Sequence, residues 1–316
     1  MKRIYVCCPG NSVTGGPELL HQLVDALRSR GNNAHIVYYP FDKTFQIPEK
    51  YTHYNVAVAT SDECGDGIVI LPEERTAFVD HFVNSDIYIW WLSVDSYFGK
   101  SSRHNGRSYF KYIKRLLNGR SKPMSSLKKY KHLVQSEYAK HFLKRHNIDS
   151  LLLSDYLNEA HFSNTQYRFD RKNQVLYNPK KGYRVTSKLI KAFPSIQFIP
   201  LQNMSPEEVA AILRESKVYI DFGSHPGKDR FPREAAMAGC CVITGQRGSA
   251  KNKVDIAIPE KYKLKENSFS FLEKFEMIVM ESLNNYEASF KDFEFYREKI
   301  SREKNLFDEQ VESIFC

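Results

Sequence analysis

The segment Asp221-Phe222-Gly223-Ser224-His225-Pro226-Gly227-Lys228-Asp229-Arg230-Phe231-Pro232-Arg233-Glu234-Ala235-Ala236-Met237-Ala238-Gly239-Cys240-Cys241-Val242-Ile243 joins two apolar runs of strand length through a loop and one short helix. Residues 218–222 and 241–244 are the strands, the loop between them is dense in glycine, proline and cations, and the helix begins near Arg233. A strand, a helix and a second strand in so short a space make the βαβ unit of a parallel sheet. The loop then falls at the carboxyl end of a strand, where open α/β sheets hold their ligands. Lys228, Arg230 and Arg233 are suited to neutralise a diphosphate. Glu234, an acceptor only when ionised, can take hydrogen bonds from two ribose hydroxyls. The alternative is a solvated charged loop in which Glu234 compensates a helix dipole.

The same alternation runs through the rest of the chain. Residues 4–8 are a short apolar run, 9–17 a glycine-rich loop, and 18–30 a helix with Leu19, Leu20, Leu23, Val24 and Leu27 at helical spacing. Further strands are expected at 35–39, 56–59, 68–71, 87–92 and 132–135, with a helix at 76–82. After a polar stretch at 158–173 the rhythm restarts with strands at 174–177 and 197–200 and a helix at 186–192; Ser205-Pro206 is a strong helix start. Residues 269–315 read as charged helices.

A length of 316 residues suits two domains of about 150 residues each. Apolar residues at 42% and charged residues at 26% are ordinary globular proportions and exclude a disordered or fibrous class. No stretch approaches the roughly 18 to 20 apolar residues of a membrane span, and the first ten residues read as a basic pair leading into a strand, so a cytoplasmic location is expected. The six cysteines include the adjacent pairs Cys7-Cys8 and Cys240-Cys241 and show no C-x-x-C spacing. They read as reduced residues of apolar strands, not as a metal site or disulfides.

The net charge of +9 is concentrated. Residues 96–131 contain no acidic residue and eleven Lys or Arg. Within them Tyr109, Phe110, Ile113, Leu116 and Leu117 recur at helical spacing while Lys111, Lys114 and Arg115 project elsewhere, an amphipathic basic helix. Such a helix suits an anionic membrane surface or an acceptor; a helix packed on its own domain with a solvated cationic face is the other reading. No recognisable nucleic-acid motif accompanies the charge, so a nucleic-acid partner ranks low. Gly15 and Gly16 open a helix directly after the first strand, either as an anion-binding helix start or as a tight turn without a ligand. Asp95, at the end of the strand at 87–92, suits a base acting on an acceptor hydroxyl, or a turn cap. The histidines His21, His53, His81 and His161 show no ligand spacing, and no Asp-x-Asp pair suggests a metal.

Two motifs together, Gly15-Gly16-Pro17-Glu18 after the first strand and Pro232-Arg233-Glu234-Ala235-Ala236-Met237-Ala238-Gly239 before a late one, resemble the retaining glycosyltransferase family 4 group and its GT-B relatives. The resemblance implies two Rossmann-like domains facing across a cleft: an acceptor-binding domain over 1–160, a nucleotide-sugar-binding domain over 170–285, and C-terminal helices over 286–316 packing back on the first. It implies retaining transfer of a glycosyl group from a nucleoside diphosphate sugar to a glycan or lipid-linked acceptor, as in bacterial surface polysaccharide synthesis, without cofactor or metal. The second Glu of the family motif matches Glu234 and binds the ribose. The first Glu, a sugar contact, falls on Pro226, leaving Asp229 or Asp221 as substitutes. The family's diphosphate-binding loop matches Lys180, Lys181 and Gly182, with Arg184 as a further cation. Lys181, Arg230 and Asp95 are thus the expected catalytic groups. Gly15, Gly16, Lys180, Lys181, Lys228, Asp229, Arg230, Phe231, Arg233 and Glu234 make up the expected donor site. An epimerase of the same fold would use the same donor site without an acceptor surface.

Overall fold

A computed structural model describes residues 2–99, 106–158 and 167–316. Lys100 and Arg103 of the acid-free run, and His161, lie outside the described residues. The chain forms two compact units, Met1–Asp155 with Asn305–Cys316, and Tyr156–Lys304.

The first unit carries a six-stranded sheet of β1 (Ile4–Pro9), β2 (Ala34–Tyr39), β3 (Ile68–Pro72), β4 (Asp86–Trp91), β5 (Lys131–Val134) and β6 (Leu151–Leu152) in the order β2-β1-β3-β4-β5-β6. Every pairing is parallel. Its central strands are buried along their length, the pattern of a parallel sheet covered on both faces. Helix α1 (Gly15–Ser29) buries the leucine and valine stripe read from the sequence and ends at Gly31, whose φ of +79° a side chain would strain. The other helices of this unit are α2 (Val94–Tyr97), α3 (Gly106–Leu117), α4 (Met124–Leu127) and α5 (Glu137–Lys144).

In the second unit β7 (Lys172–Tyr177), β8 (Gln197–Pro200), β9 (Ser216–Asp221) and β10 (Cys241–Thr244) form a parallel sheet in the order β10-β9-β7-β8. Its helices are α6 (Tyr183–Ala192), α7 (Pro206–Glu215), α8 (Arg230–Met237), α9 (Phe271–Asn284), α10 (Tyr286–Lys291) and α11 (Glu294–Ser301). Ser205 caps α7 through Glu208 N at 3.2 Å, and Glu208 returns the bond to Ser205 N, so the Ser-Pro start works as a capping box. Helix α12 (Glu303–Phe315) begins in this unit and continues as part of the first, where Asp308 pairs with Arg30 at 3.2 Å and Gln310 accepts from Ser154 N at 2.7 Å.

Two expectations need correction. Residues 56–59 form only an isolated bridge, Ile36 to Val58; Ala59 is buried but Val58 is 46% exposed, so one face of the run meets water. The helix expected at 76–82 is a 3₁₀ segment, Glu73–Asp80, broken at Arg75. By compactness the second unit runs through Lys304, and Asn305–Cys316 groups with the first. No helix among the described residues is long and apolar enough to cross a membrane.

Candidate functional site

In the second unit the chain leaves β7 toward β8 on one side and comes back to β9 on the other. The loops that follow β7 and β9 therefore meet at the point where strand order reverses, the place where open α/β sheets bind ligands. Two glycines let these loops touch. Gly182, at φ +62°, leads into α6, and a Cβ there would lie 2.3 Å from the Phe222 carbonyl carbon. A Cβ on Gly223 would lie 3.0 Å from Lys181 Cβ. Neither position accepts a side chain without moving the loops apart.

Lys181 is brought by this approach onto the loop after β9. Its Nζ is 2.8 Å from Asp229 Oδ1, and the other oxygen, Oδ2, is 2.7 Å from His225 Nδ1. On the far side of the ring, His225 Nε2 is 3.7 Å from Asp221 Oδ1 and 3.4 Å from the Asp221 carbonyl. Asp221 also accepts from Gly223 N at 2.9 Å and Tyr219 OH at 3.3 Å. Burial works against the charge of Asp229, yet Lys181 and His225 outweigh it and hold the carboxyl down at about 2. For Lys181, too, burial opposes the charge and the Asp229 and Asp221 carboxylates prevail, raising the pKa. Asp221, His225 and Asp229 are close enough to share a cation, and the ammonium of Lys181 is the cation beside them.

Glu234 and Arg230 occupy the first turns of α8. Arg230 Nε donates to Glu234 Oε1 at 3.1 Å, with the arginine side chain 32% exposed and the glutamate 11%. Glu234 also acts on the charge of Lys181, so the two loops bring Lys181, Asp229, Arg230 and Glu234 into one electrostatic neighbourhood. Phe231 stacks on Tyr219, ring centroids 6.0 Å apart. Lys180 is exposed and its backbone N–H bonds Asn178 Oδ1 at 2.9 Å; Arg184, one residue into α6, is exposed as well.

The other two cations of the loop share one carboxylate. Arg233 is wholly buried, its NH1 2.7 Å from Glu303 Oε2, with further bonds to the carbonyls of Asp229 and Lys228. Lys228 Nζ meets the second oxygen of the same carboxylate at 2.8 Å. These two cations face inward to the start of α12 and tie the loop down. Asp221 is likewise buried, at the end of β9. Glu303 is the residue that sequence reasoning missed here, because it lies 70 positions beyond Arg233 in a run that reads as solvated helix.

The remaining expected residues lie in the first unit. Gly15 and Gly16 are the first two residues of α1, with open space where a Cβ of Gly16 would go. Asp95 is buried in α2, whose Ser93 cap accepts from Ser96 N. On α3, Lys111 and Lys114 are exposed beside Phe110, Ile113 and Leu117, which are 70%, 36% and 82% exposed. Arg115 does not belong to that face. It is half-buried, donating to the Glu74 carbonyl and, at 3.1 Å, to Ser121 Oγ, and burial lowers its pKa.

No protein-family model matches the chain, and no curated protein matches it by sequence. Solved structures do. Sucrose-phosphate synthase from Thermosynechococcus elongatus matches with a TM-score of 0.67 at 12% identity, covering 100% of this chain and 98% of that one. WaaG, a glycosyltransferase involved in lipopolysaccharide biosynthesis, matches at 0.60 and 11%, covering 98% and 99%. The catalytic domain of starch synthase IV from Arabidopsis thaliana, bound to ADP and acarbose, matches at 0.55 and 10%, covering 98% and 99%. Identities this low speak of architecture alone. Two parallel sheets clad by helices, matched over the whole chain by these structures, give the protein two Rossmann-like domains of the GT-B fold.

Proposed function

We propose that the protein transfers a glycosyl group from a nucleoside diphosphate sugar to a hydroxyl of a glycan or lipid-linked acceptor. The observation that carries this reading is the convergence of Lys181 and the Arg230–Glu234 pair on the switch point of the second sheet. Lys181, Arg230 and the N-terminal turn of α8 supply positive charge for a diphosphate that becomes more negative as the glycosyl bond breaks. Glu234 offers a carboxylate to paired ribose hydroxyls. The ADP in starch synthase IV is a ligand of the kind this arrangement suits.

Retention of anomeric configuration, a hexosyl donor and independence of metal are what the family resemblance adds to the proposal, with Asp95 as a group acting at the acceptor. WaaG's part in lipopolysaccharide biosynthesis fits a role in bacterial surface polysaccharide. For a lipid-linked acceptor, the ridge of Phe110, Ile113 and Leu117 with Lys111 and Lys114 supplies a surface for the anionic cytoplasmic face of a membrane.

The test is turnover. The full chain is incubated with UDP-, GDP- and ADP-sugars and a mixture of glycan and lipid-linked acceptors, and release of nucleoside diphosphate and glycosylated product is measured. Acceptor-dependent release with at least one donor is expected. Conversion of the donor to an isomeric nucleotide sugar without acceptor would establish the epimerase reading instead.

A further inference from the structure

His225, in the loop after β9, is among the most enclosed ionisable groups of the described residues. Its side chain has no exposure, and its surroundings are built around it. The His225 carbonyl accepts from Ser249 N at 2.8 Å, and a Cβ on Gly248 would lie only 1.9 Å from that oxygen, so glycine is required for the contact. Ser249 Oγ donates to the Gly227 carbonyl at 2.6 Å and fixes the next turn of the loop. The imidazole thus stands between two carboxylates on a backbone pinned at both ends.

We propose that His225 is a positioning residue that clasps Asp221 and Asp229 as an imidazolium and so holds the Lys181 ammonium ready for the diphosphate of the donor. This rests on the donor-site reading above. The geometry is a chain of four alternating groups: Asp221, His225, Asp229, Lys181. With the ring protonated the quartet is neutral. With the ring neutral, the buried quartet carries one net negative charge beside the place where two phosphates must sit, and both carboxylates draw on Lys181 alone. Burial opposes the charged ring, but Asp221 and then Asp229 outweigh burial and raise its pKa from 6.5, Lys181 working the other way. Glu266, paired with Arg247 at 3.2 Å, is the further charged group that feels the ring. Asp229 is held near 2 and Lys181 above its usual value, so beside these two the ring is the group placed to change charge near neutral pH.

The signs follow. A folded-state pKa above the unfolded one stabilises the protein fully below about pH 6.5, and the contribution is lost as pH rises through the folded midpoint. Donor affinity falls through the same midpoint, because the diphosphate of a nucleotide sugar is diesterified and does not itself titrate there.

The experiment uses the full chain with ¹³C,¹⁵N-labelled histidine, sequentially assigned, alongside His225→Asn, which keeps a donor toward Asp229 but carries no charge. Imidazole shifts of the wild type are followed from pH 5 to 9, unfolding midpoints of both proteins are measured over the same range, and both are titrated with UDP-, GDP- and ADP-sugars. The expected results are an imidazolium persisting above pH 6.5, a stability difference between wild type and variant that shrinks as pH rises, and donor binding at pH 6 weakened at least about tenfold in the variant, with the pH dependence gone. A ring already neutral at pH 6.5 overturns the proposal. So does a variant whose donor affinity keeps the wild-type pH dependence. Failure of the wild type to bind any nucleotide sugar sinks the functional reading, while the ring's titration and the stability difference still decide the clasp.

Discussion

Two segments of this chain are rich in cations, and they use them in opposite ways. In the loop and helix after β9, Lys228 and Arg233 are turned inward on the single carboxylate of Glu303, and Lys181 is held by Asp229. On α3, Lys111 and Lys114 point to solvent beside an exposed apolar ridge. The difference lies in the partners available: residues 96–131 contain no acid, whereas the segment from the end of β9 through α8 carries Asp221, Asp229 and Glu234 and has Glu303 packed against it. A cation near buried carboxylates becomes part of the scaffold, because an uncompensated charge inside a fold is expensive. A cation without them stays in water and is free to meet something outside.

The comparison breaks first at Glu303. Glu303→Gln removes the charge between Lys228 and Arg233 and should lower stability by about 3 to 5 kcal/mol, read by denaturant unfolding; a loss under 1 kcal/mol would mean those cations are not buried ion-pair partners. Next in size, Lys181→Ala and Arg230→Ala should each lower kcat on the order of a hundredfold, and more than they raise the donor KM, because the leaving diphosphate gains charge in the transition state. A pure KM effect in both would reduce them to ground-state phosphate binders. On the other segment, Lys111→Gln with Lys114→Gln should cut partitioning onto anionic vesicles roughly 30-fold, and salt should weaken the wild-type binding. Wild-type protein that ignores such vesicles at low salt would leave α3 as a solvated face. Arg115→Gln sharpens the contrast: it should cost about 1 to 2 kcal/mol of stability through the lost Glu74 and Ser121 bonds and leave vesicle binding unchanged.

The strands were legible wherever an apolar run had two covered faces, as in β1, β4 and β9. At 56–59 the run was present but one face met water, and β6, two exposed leucines, was too short to announce itself. At the site, Lys181 and the Asp229–Glu234 loop were legible because local chain order places them: each follows a strand at its carboxyl end. What pairs with them was not. Glu303 joins the loop only through the fold of the C-terminal helices, and the role proposed for His225 depends on the two carboxylates four positions to either side, whose side chains only the folded loop turns toward the ring. The half-buried pairing of Arg115 was not legible, because a helix face is decided by its neighbours as much as by its period.

The central claim is that the second unit binds a nucleoside diphosphate sugar through Glu234. Calorimetric titration of the folded full chain with UDP-, GDP- and ADP-sugars, wild type beside Glu234→Ala, tests it most directly. The account predicts saturable binding of at least one donor by the wild type, and a loss of about 2 to 4 kcal/mol of binding free energy in a variant whose unfolding midpoint is little changed, since charge-assisted bonds to two hydroxyls disappear. Equal affinity in wild type and variant, or no binding heat from any donor, would contradict it.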